Sequence, residues 1–401
     1  WKLNSAETWD EKERSRLQDA LADWMRNSRA VNSNLEVSSL SICPSKSGHE
    51  REAVESVLQD VRRHGVPEAS AEWCRNFELL RNYDQEVISS GGRSGTSTFN
   101  TLHVGRAAAS SILALDRFLG LSSNEGRGIA RSKWRWHGVA ENPDFEGAYS
   151  CDEGDSQLRV TANSPKDGWR PPLTWSCATH ALFCHTLDNW FPCKDDSGQL
   201  TSKNVTALWE WLASGSCGNS AADKRAQKPS PQDVAKRLSH LAFASASREF
   251  VSDESVSISS FAVALQVAFV AVLGSLRIGG CLFCELSNAV EAHVPLIFCA
   301  LLLFQRVELV TPRFPNSPPY LVAIHFLGGG KLLQAFATAL RRLASGKLKE
   351  MVPRNLLTEA APRLLEELAS YATTLQGTST TNLSSIDYLE SLSLGAVAEQ
   401  S

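Results

Sequence analysis

The sequence predicts an α/β protein, an open sheet with helices on both faces, and three features of residues 248–327 predict it. Short apolar runs alternate with longer Ala- and Val-rich runs, the pattern of strands joined by covering helices. The pair Gly279-Gly280 allows a tight turn between one such helix and the next strand. A proline-rich segment, Pro315 to Pro319, separates the two closing strands.

In order, Glu249–Ser252 reads as a short buried strand ending at Asp253, and Phe261–Leu276 as a helix packed on the sheet and stopped by Arg277–Gly280. Cys281–Cys284 re-enters the sheet and stops at Glu285, and Pro295–Phe304 is a second covering helix. Val307–Val310 and Leu321–Phe326 are the sixth and seventh strands. Open α/β sheets place their chemistry in loops at the C-terminal strand ends, so Asp253, Glu285 and the loop Asn316–Pro318 are expected to face one crevice.

Upstream, residues 1–70 are charged and helical in pattern, with Trp9, Leu17, Leu21 and Trp24 near helical spacing and a break around Pro44. They read as an extension docked on a main domain of residues 71–330. Trp73–Val87 is a further amphipathic helix. Phe99–Gly105 reads as strand and turn, followed by a helix containing Ala114–Leu121. That is where nucleotide-type cofactors sit in such folds, but the turn Gly105–Ser110 keeps a single glycine, which limits close backbone approach to a ligand. Residues 126–131 are expected to form a second strand.

Lys133-Trp-Arg135-Trp136 alternates cations with indoles, an arrangement suited to stacking on RNA bases. The preferred alternative has half-buried strand tryptophans with cations extending beside them. An irregular insertion at about 150–197 carries Cys177, His180, Cys184 and His185, whose spacing matches no standard zinc motif, so no metal is expected. Cys281-Leu-Phe-Cys284 lies inside a strand, where the two thiols would face opposite ways. Residues 198–212 read as a strand end, a Ser/Thr cap and a helix, and Val234–Ala246 as another helix. Residues 331–377 form an amphipathic helical extension, and 378–401 a Ser/Thr-rich tail with Ile386, Tyr388 and Leu389 embedded, ordered only against a neighbour.

With 401 residues, 43% hydrophobic, the chain has ample core-forming material, and its net charge of -4 argues against a broadly basic nucleic-acid coat. Ten cysteines with no secretory apolar region at the start favour a reduced intracellular protein. The chain opens at Trp1 rather than Met, which leaves any targeting peptide open. Residues 261–276 are shorter than the ~20 apolar residues a bilayer crossing needs, so no membrane partner is expected.

The order of Phe99–Gly105, Gly198–Val205, Glu249–Ser255, Leu276–Leu286 and Phe304–Ala323 resembles the FtsJ/RrmJ-like ribose 2′-O-methyltransferases, including the cap-specific ones. The resemblance covers residues 73–327 and is most specific at Leu276-Arg-Ile-Gly-Gly280 and Arg313-Phe-Pro-Asn316-Ser317. It implies a Rossmann-like methyltransferase sheet with an antiparallel last strand, S-adenosylmethionine at the first glycine turn, RNA across the crevice, and a catalytic lysine, aspartate, lysine and glutamate. Asp253 matches the aspartate, and Arg81 is the nearest cation to the first lysine. Glu285 and Pro318 stand where the resemblance places the second lysine and the glutamate. Gly105 is what remains of the cofactor turn, and Gln199 replaces the acidic residue expected at the adenine.

A ribose hydroxyl ionises only with the help of a nearby cation, and Glu285 reverses that electrostatic term. The sequence therefore implies an inactive methyltransferase-like scaffold or assembly subunit, in a ribonucleoprotein or other large complex, with no cofactor. The alternative is a divergent S-adenosylmethionine-dependent RNA 2′-O-methyltransferase using Asp253 with Arg81 or another cation. A third reading is a non-catalytic RNA binder using Lys133, Arg135 and Trp136.

Overall fold

A computed structural model describes residues 2–3, 9–27, 48–90, 98–124, 129–139, 182, 186, 189–191, 200–214, 238–246, 258–344, 348, 351–378, 388 and 392. Its strands are β1 (Phe99–Val104), β2 (Trp134–Val139), β3 (Ser239–Ala244), β4 (Leu276–Glu285), β5 (Phe304–Val310) and β6 (Tyr320–Phe326). They make one mixed six-stranded sheet in the order β2-β1-β3-β4-β6-β5. Strands β1 to β4 run parallel where they pair, and β6 is antiparallel to both β4 and β5.

Alternation with period two divides the sheet's side chains between two cores. Leu102, Val104, Ala242, Ala244, Leu282, Cys284, Leu321 and Ala323 enter one. Phe99, Leu241, Phe243, Cys281, Phe283, Val322 and Ile324 enter the other. Cys281 and Cys284 thus lie in different cores. Every residue of β1 and β3 is buried, so both faces must be covered by helices.

The first face is covered by α6 (Val205–Ser214), α7 (Ile258–Leu273) and α8 (Val294–Leu303), with two elements from the chain's extensions, α1 (Glu11–Asn27) and α9 (Gly330–Ala344). Helices α7 and α8 are almost uniformly apolar, and every residue of α8 except Pro295 is buried. Among the described residues, no helix is long and apolar enough to cross a membrane. Trp209 lies against Gly274, where an added Cβ would fall 2.0 Å from the indole, and its Nε1 donates to Ala271 O at 2.9 Å, which locks α6 onto α7.

The second face is covered by α2 (Gly48–Arg63), α3 (Ala71–Asn82), α4 (Asp84–Ser90) and α5 (Ala108–Asn124). Two further helices, α10 (Arg354–Ala360) and α11 (Pro362–Thr378), follow α9.

The extensions share the sheet's core. Leu17, Leu21, Ala22 and Met25 of α1 are buried in the first core, Trp9 Nε1 donates to Ala360 O at 3.1 Å, and Arg342 donates to Met25 O at 2.6 Å. The backbone of Leu3 donates to Val307 O at 3.3 Å, so residues 2–3 line the outer edge of β5 and cover part of an otherwise open strand edge.

Several elements differ from the sequence expectation, among them the helix expected at Trp73–Val87, which is broken at Tyr83 into α3 and α4. Residues 239–244, expected within a helix, form the central strand β3. Their Ala-rich composition favours helix, but burial between β1 and β4 overrides propensity, and the large–small alternation Leu241-Ala242-Phe243-Ala244 matches the two faces. The strand expected at Glu249–Ser252 lies outside the described residues. The second strand begins at Trp134, after a 3-10 turn at Arg131–Lys133, and residues 126–128 of the expected strand lie outside the described residues. No strand precedes α6 at residues 200–204, where Asn204 Oδ1 accepts from Thr201 N at 2.7 Å in a capping turn. Strand β4 starts at Leu276, so Arg277–Gly280 is a bulged stretch of strand with Gly279 at φ 81° and a register shift against Ser239–Leu241.

One set of buried polar groups forms a directed chain of hydrogen bonds across β1 and α5. Trp134 Nε1 donates to Thr101 Oγ1 at 3.0 Å, leaving the Thr101 hydroxyl to donate to His103 Nε2 at 2.9 Å. His103 Nδ1 donates to Ser111 Oγ at 2.7 Å, and Ser111 donates to Ala108 O at 2.8 Å. Each proton is used once only if the imidazole is neutral. Burial, and secondarily the charge of His137, lowers the His103 pKa to about 3, and burial lowers that of His293 to about 4. Between those values and the unperturbed 6.5 the unfolded chain binds more protons than the native one, so stability rises with pH across this window. Denaturant titrations should therefore show unfolding free energy falling as pH drops from about 6.5 to 4. A His103→Asn variant, less stable at pH 7, should show a shallower slope.

Candidate functional site

Strand direction places the ends of β1, β3 and β4 on one edge, together with the start of the reversed strand β6. The first residues past β1 are Gly105 and Arg106, and the first past β3 is Ser245. Glu285 ends β4 and Tyr320 opens β6. Helix α3 and the connection 311–319 flank this edge.

Gly105 adopts φ 95°, and a Cβ there would stand 2.1 Å from Ser245 O. Its lack of a side chain lets the β1 turn meet the β3 turn. Ser245 N donates to Val104 O at 3.0 Å, and Ala107 N donates to Ser245 Oγ at 3.1 Å. Gly105, the remnant of the expected cofactor turn, has the space where a side chain would stand taken by Ser245. Gly105→Ala combines a left-handed backbone with a direct clash and should cost about 2 kcal/mol or more, read as a lowered denaturation midpoint at unchanged slope.

Arg106 projects from this turn to form a short ion pair with Glu285, and its other nitrogen lies 4.0 Å from Glu72 of α3. The Glu285 side chain is only 5% exposed and that of Arg106 22%, so the pair sits in a poorly solvated gap between β1, β4 and α3. Tyr320 donates to Glu285 Oε2 at 3.5 Å, and burial followed by the Glu285 charge pushes its phenol well above the usual range. The Glu285 charge, against opposing burial, holds the Arg106 guanidinium firmly protonated. Burial alone would raise the Glu72 carboxyl, but Arg106 and then Arg75 outweigh it and hold the group below its ordinary value. Two arginines and two carboxylates thus compensate one another. Beneath them Asn76, Val104, Ser111, Ser245, Glu285 and Tyr320 line a cavity with about 10 Å³ for the centre of a water molecule, room for one.

Of the residues singled out in the sequence, the structure brings Gly105, Glu285 and Pro318 to this edge. Pro318 is partly buried in the connection whose Asn316 carbonyl accepts from Arg75 at 3.3 Å. Arg81 is corrected as the crevice cation: it lies nine residues beyond Glu72, about 14 Å along α3, whereas Arg75 reaches the 311–319 connection. Asp253 and Gln199 lie outside the described residues, as do Cys177, His180, Cys184 and His185. No group of three or more potential metal ligands occurs among the described residues.

Lys133, Arg135 and Trp136 lie on or beside the edge strand β2, away from the crevice. Trp136 is buried edge-on against Trp190 with ring centroids 5.5 Å apart, and Trp134 Nε1 is bound to Thr101. The burial of Trp136 favours the preferred reading, a strand tryptophan packed against its neighbours, and goes against its stacking on a base.

Sequence reasoning missed Arg106, Glu72 and Tyr320 as one network. Glu285 ending β4 read only as the loss of a lysine, yet with Arg106 beside Gly105 it forms a pair of opposite charges at the ends of strands separated only by β3. No family model matches the chain, and no curated protein matches it either.

Glu285→Gln leaves the Arg106 charge in the gap with only the more distant Glu72, and should destabilise the fold by about 2–3 kcal/mol. In a double-mutant cycle with Arg106→Met, chemical denaturation should give a coupling of at least about 1 kcal/mol.

Proposed function

We propose that this chain is a catalytically silent relative of the RNA ribose 2′-O-methyltransferases that serves as a scaffold or assembly subunit of a larger, intracellular ribonucleoprotein complex. The sheet's reversed last strand, held between β4 and β5, supports the Rossmann-like methyltransferase reading of the fold. The observation that carries the functional reading is the Arg106–Glu285 pair across the crevice.

Methyl transfer to a ribose hydroxyl needs a cation where the oxygen ionises and open space beside the first glycine turn for the methyl donor. In this chain the end of β4 carries an anion, already matched to an arginine. The space beside Gly105 is occupied by Ser245 and closed over by Arg106. The residues present do not fit S-adenosylmethionine. A buried pair that satisfies itself is a structural solution for a former site, and helices recruited from both extensions enlarge the surface on which subunits can dock.

Calorimetric titration of S-adenosylmethionine into the purified protein should give no saturable heat up to millimolar ligand. Micromolar binding would favour a divergent methyltransferase and defeat the silent reading. In fractionated cell extract the chain should sediment with a large ribonuclease-sensitive assembly, and sedimentation at monomer size would defeat the scaffold reading.

A further inference from the structure

Asn76 of α3 is 2% exposed, and its side-chain amide nitrogen has no hydrogen-bond partner within the protein. A buried donor is costly to leave in that state. Asn76 lines the cavity under the crevice together with Ser111, Glu285 and Tyr320, and two of these have accepting capacity to spare. Glu285 Oε1 is committed to Arg106, whereas Oε2 has only the Tyr320 hydroxyl at 3.5 Å, the far limit of a hydrogen bond. Ser111 Oγ accepts from His103 and donates to Ala108 O, which leaves it one lone pair.

The cavity's extent, about 10 Å³ for the centre of its occupant, is that of a single water molecule. In so small a space one occupant touches the whole lining. The lining offers one unmatched donor and two underused acceptors, and this composition selects among occupants of that size. An ammonium ion only donates and would leave Asn76 unsatisfied. An anion would face the Glu285 carboxylate, whose charge Arg106 already matches. Water both accepts and donates, so it alone meets every group.

We propose that this cavity is the binding site of one long-lived water molecule, which accepts from Asn76 Nδ2 and donates to Glu285 Oε2 and Ser111 Oγ. Three such bonds are the usual complement of a buried water. The water joins the Arg106–Glu285 pair to the chain that runs from Trp134 through Thr101 and His103 to Ser111, making one polar network of α3, α5, β1 and β4. Asn76 is then a positioning residue, holding the water that holds Glu285 toward Arg106. This deepens the silent reading of the crevice, on which it rests, by naming the molecule that resides there.

The test is a crystal structure of the ligand-free full chain at a resolution that shows ordered water. A single density peak should stand about 2.7–3.2 Å from Asn76 Nδ2, Glu285 Oε2 and Ser111 Oγ. No peak, or a peak within reach of fewer than two of the three, overturns the proposal. In solution, oxygen-17 magnetic relaxation dispersion counts long-lived internal waters, and Asn76→Leu, whose larger apolar side chain fills the space, should lower the count by about one. An unchanged count in a variant that folds overturns the proposal; if that variant fails to fold, the wild-type density decides. The two readings fail separately. Saturable S-adenosylmethionine binding with the peak present in the free protein defeats the silent reading alone, whereas no binding and no peak defeats this one alone.

Discussion

Burial of the central strands on both faces is the constraint from which the rest of this structure follows. Strands β1 and β3 expose no residue, and in β4 all six residues from Gly280 to Glu285 are buried. Each face must then be covered along its length, which at about 1.5–3 kcal/mol per large side chain is the dominant source of stability. Helices α7 and α8 cover one face with α6, and α1 and α9, from opposite ends of the chain, pack against each other and onto α8 and α7, closing the same core. The second face uses α2 to α5, and Tyr388 is buried beside α3 with its hydroxyl donating to Cys74 O. What reads in the sequence as an appended extension is structurally a missing piece of a core.

The same constraint governs the polar edge of the sheet. A charge at the end of a buried strand has lost much of its water and needs a partner close by. Glu285 meets this condition with Arg106 and Tyr320, and Glu72 with Arg106 and Arg75. The network is neutral overall and leaves space for about one water. Arg75 and Glu78 tie this edge to the 311–319 connection.

Much of the fold was legible locally. The alternation of apolar runs placed β1, the cores of β4, β5 and β6, and helices α5, α7 and α8 to within a few residues. Strand β3 escaped because Ala-rich Ser239–Ala244 has little intrinsic strand preference, and its central position is conferred by pairing with β1 and β4. Arg277–Gly280 read as a turn because two glycines usually mark one, whereas the pairing of Leu276 with Ser239 extends β4 through it as a bulge. At the site, Gly105 and Glu285 were identified from strand ends alone. Their roles were not, because those depend on Ser245, 140 residues from Gly105, and on Arg106, 179 residues from Glu285.

By itself the sequence determined the α/β class, the strand-end location of the crevice and the anion at the end of β4, because these depend on local periodicity and residue chemistry. The tertiary structure alone decided that the anion has a partner, that Trp136 is buried and Arg81 distant from the crevice, and that the extensions and Tyr388 belong to the cores. Those outcomes rest on contacts between residues far apart in the chain, where strand order and packing set distances that no local pattern encodes.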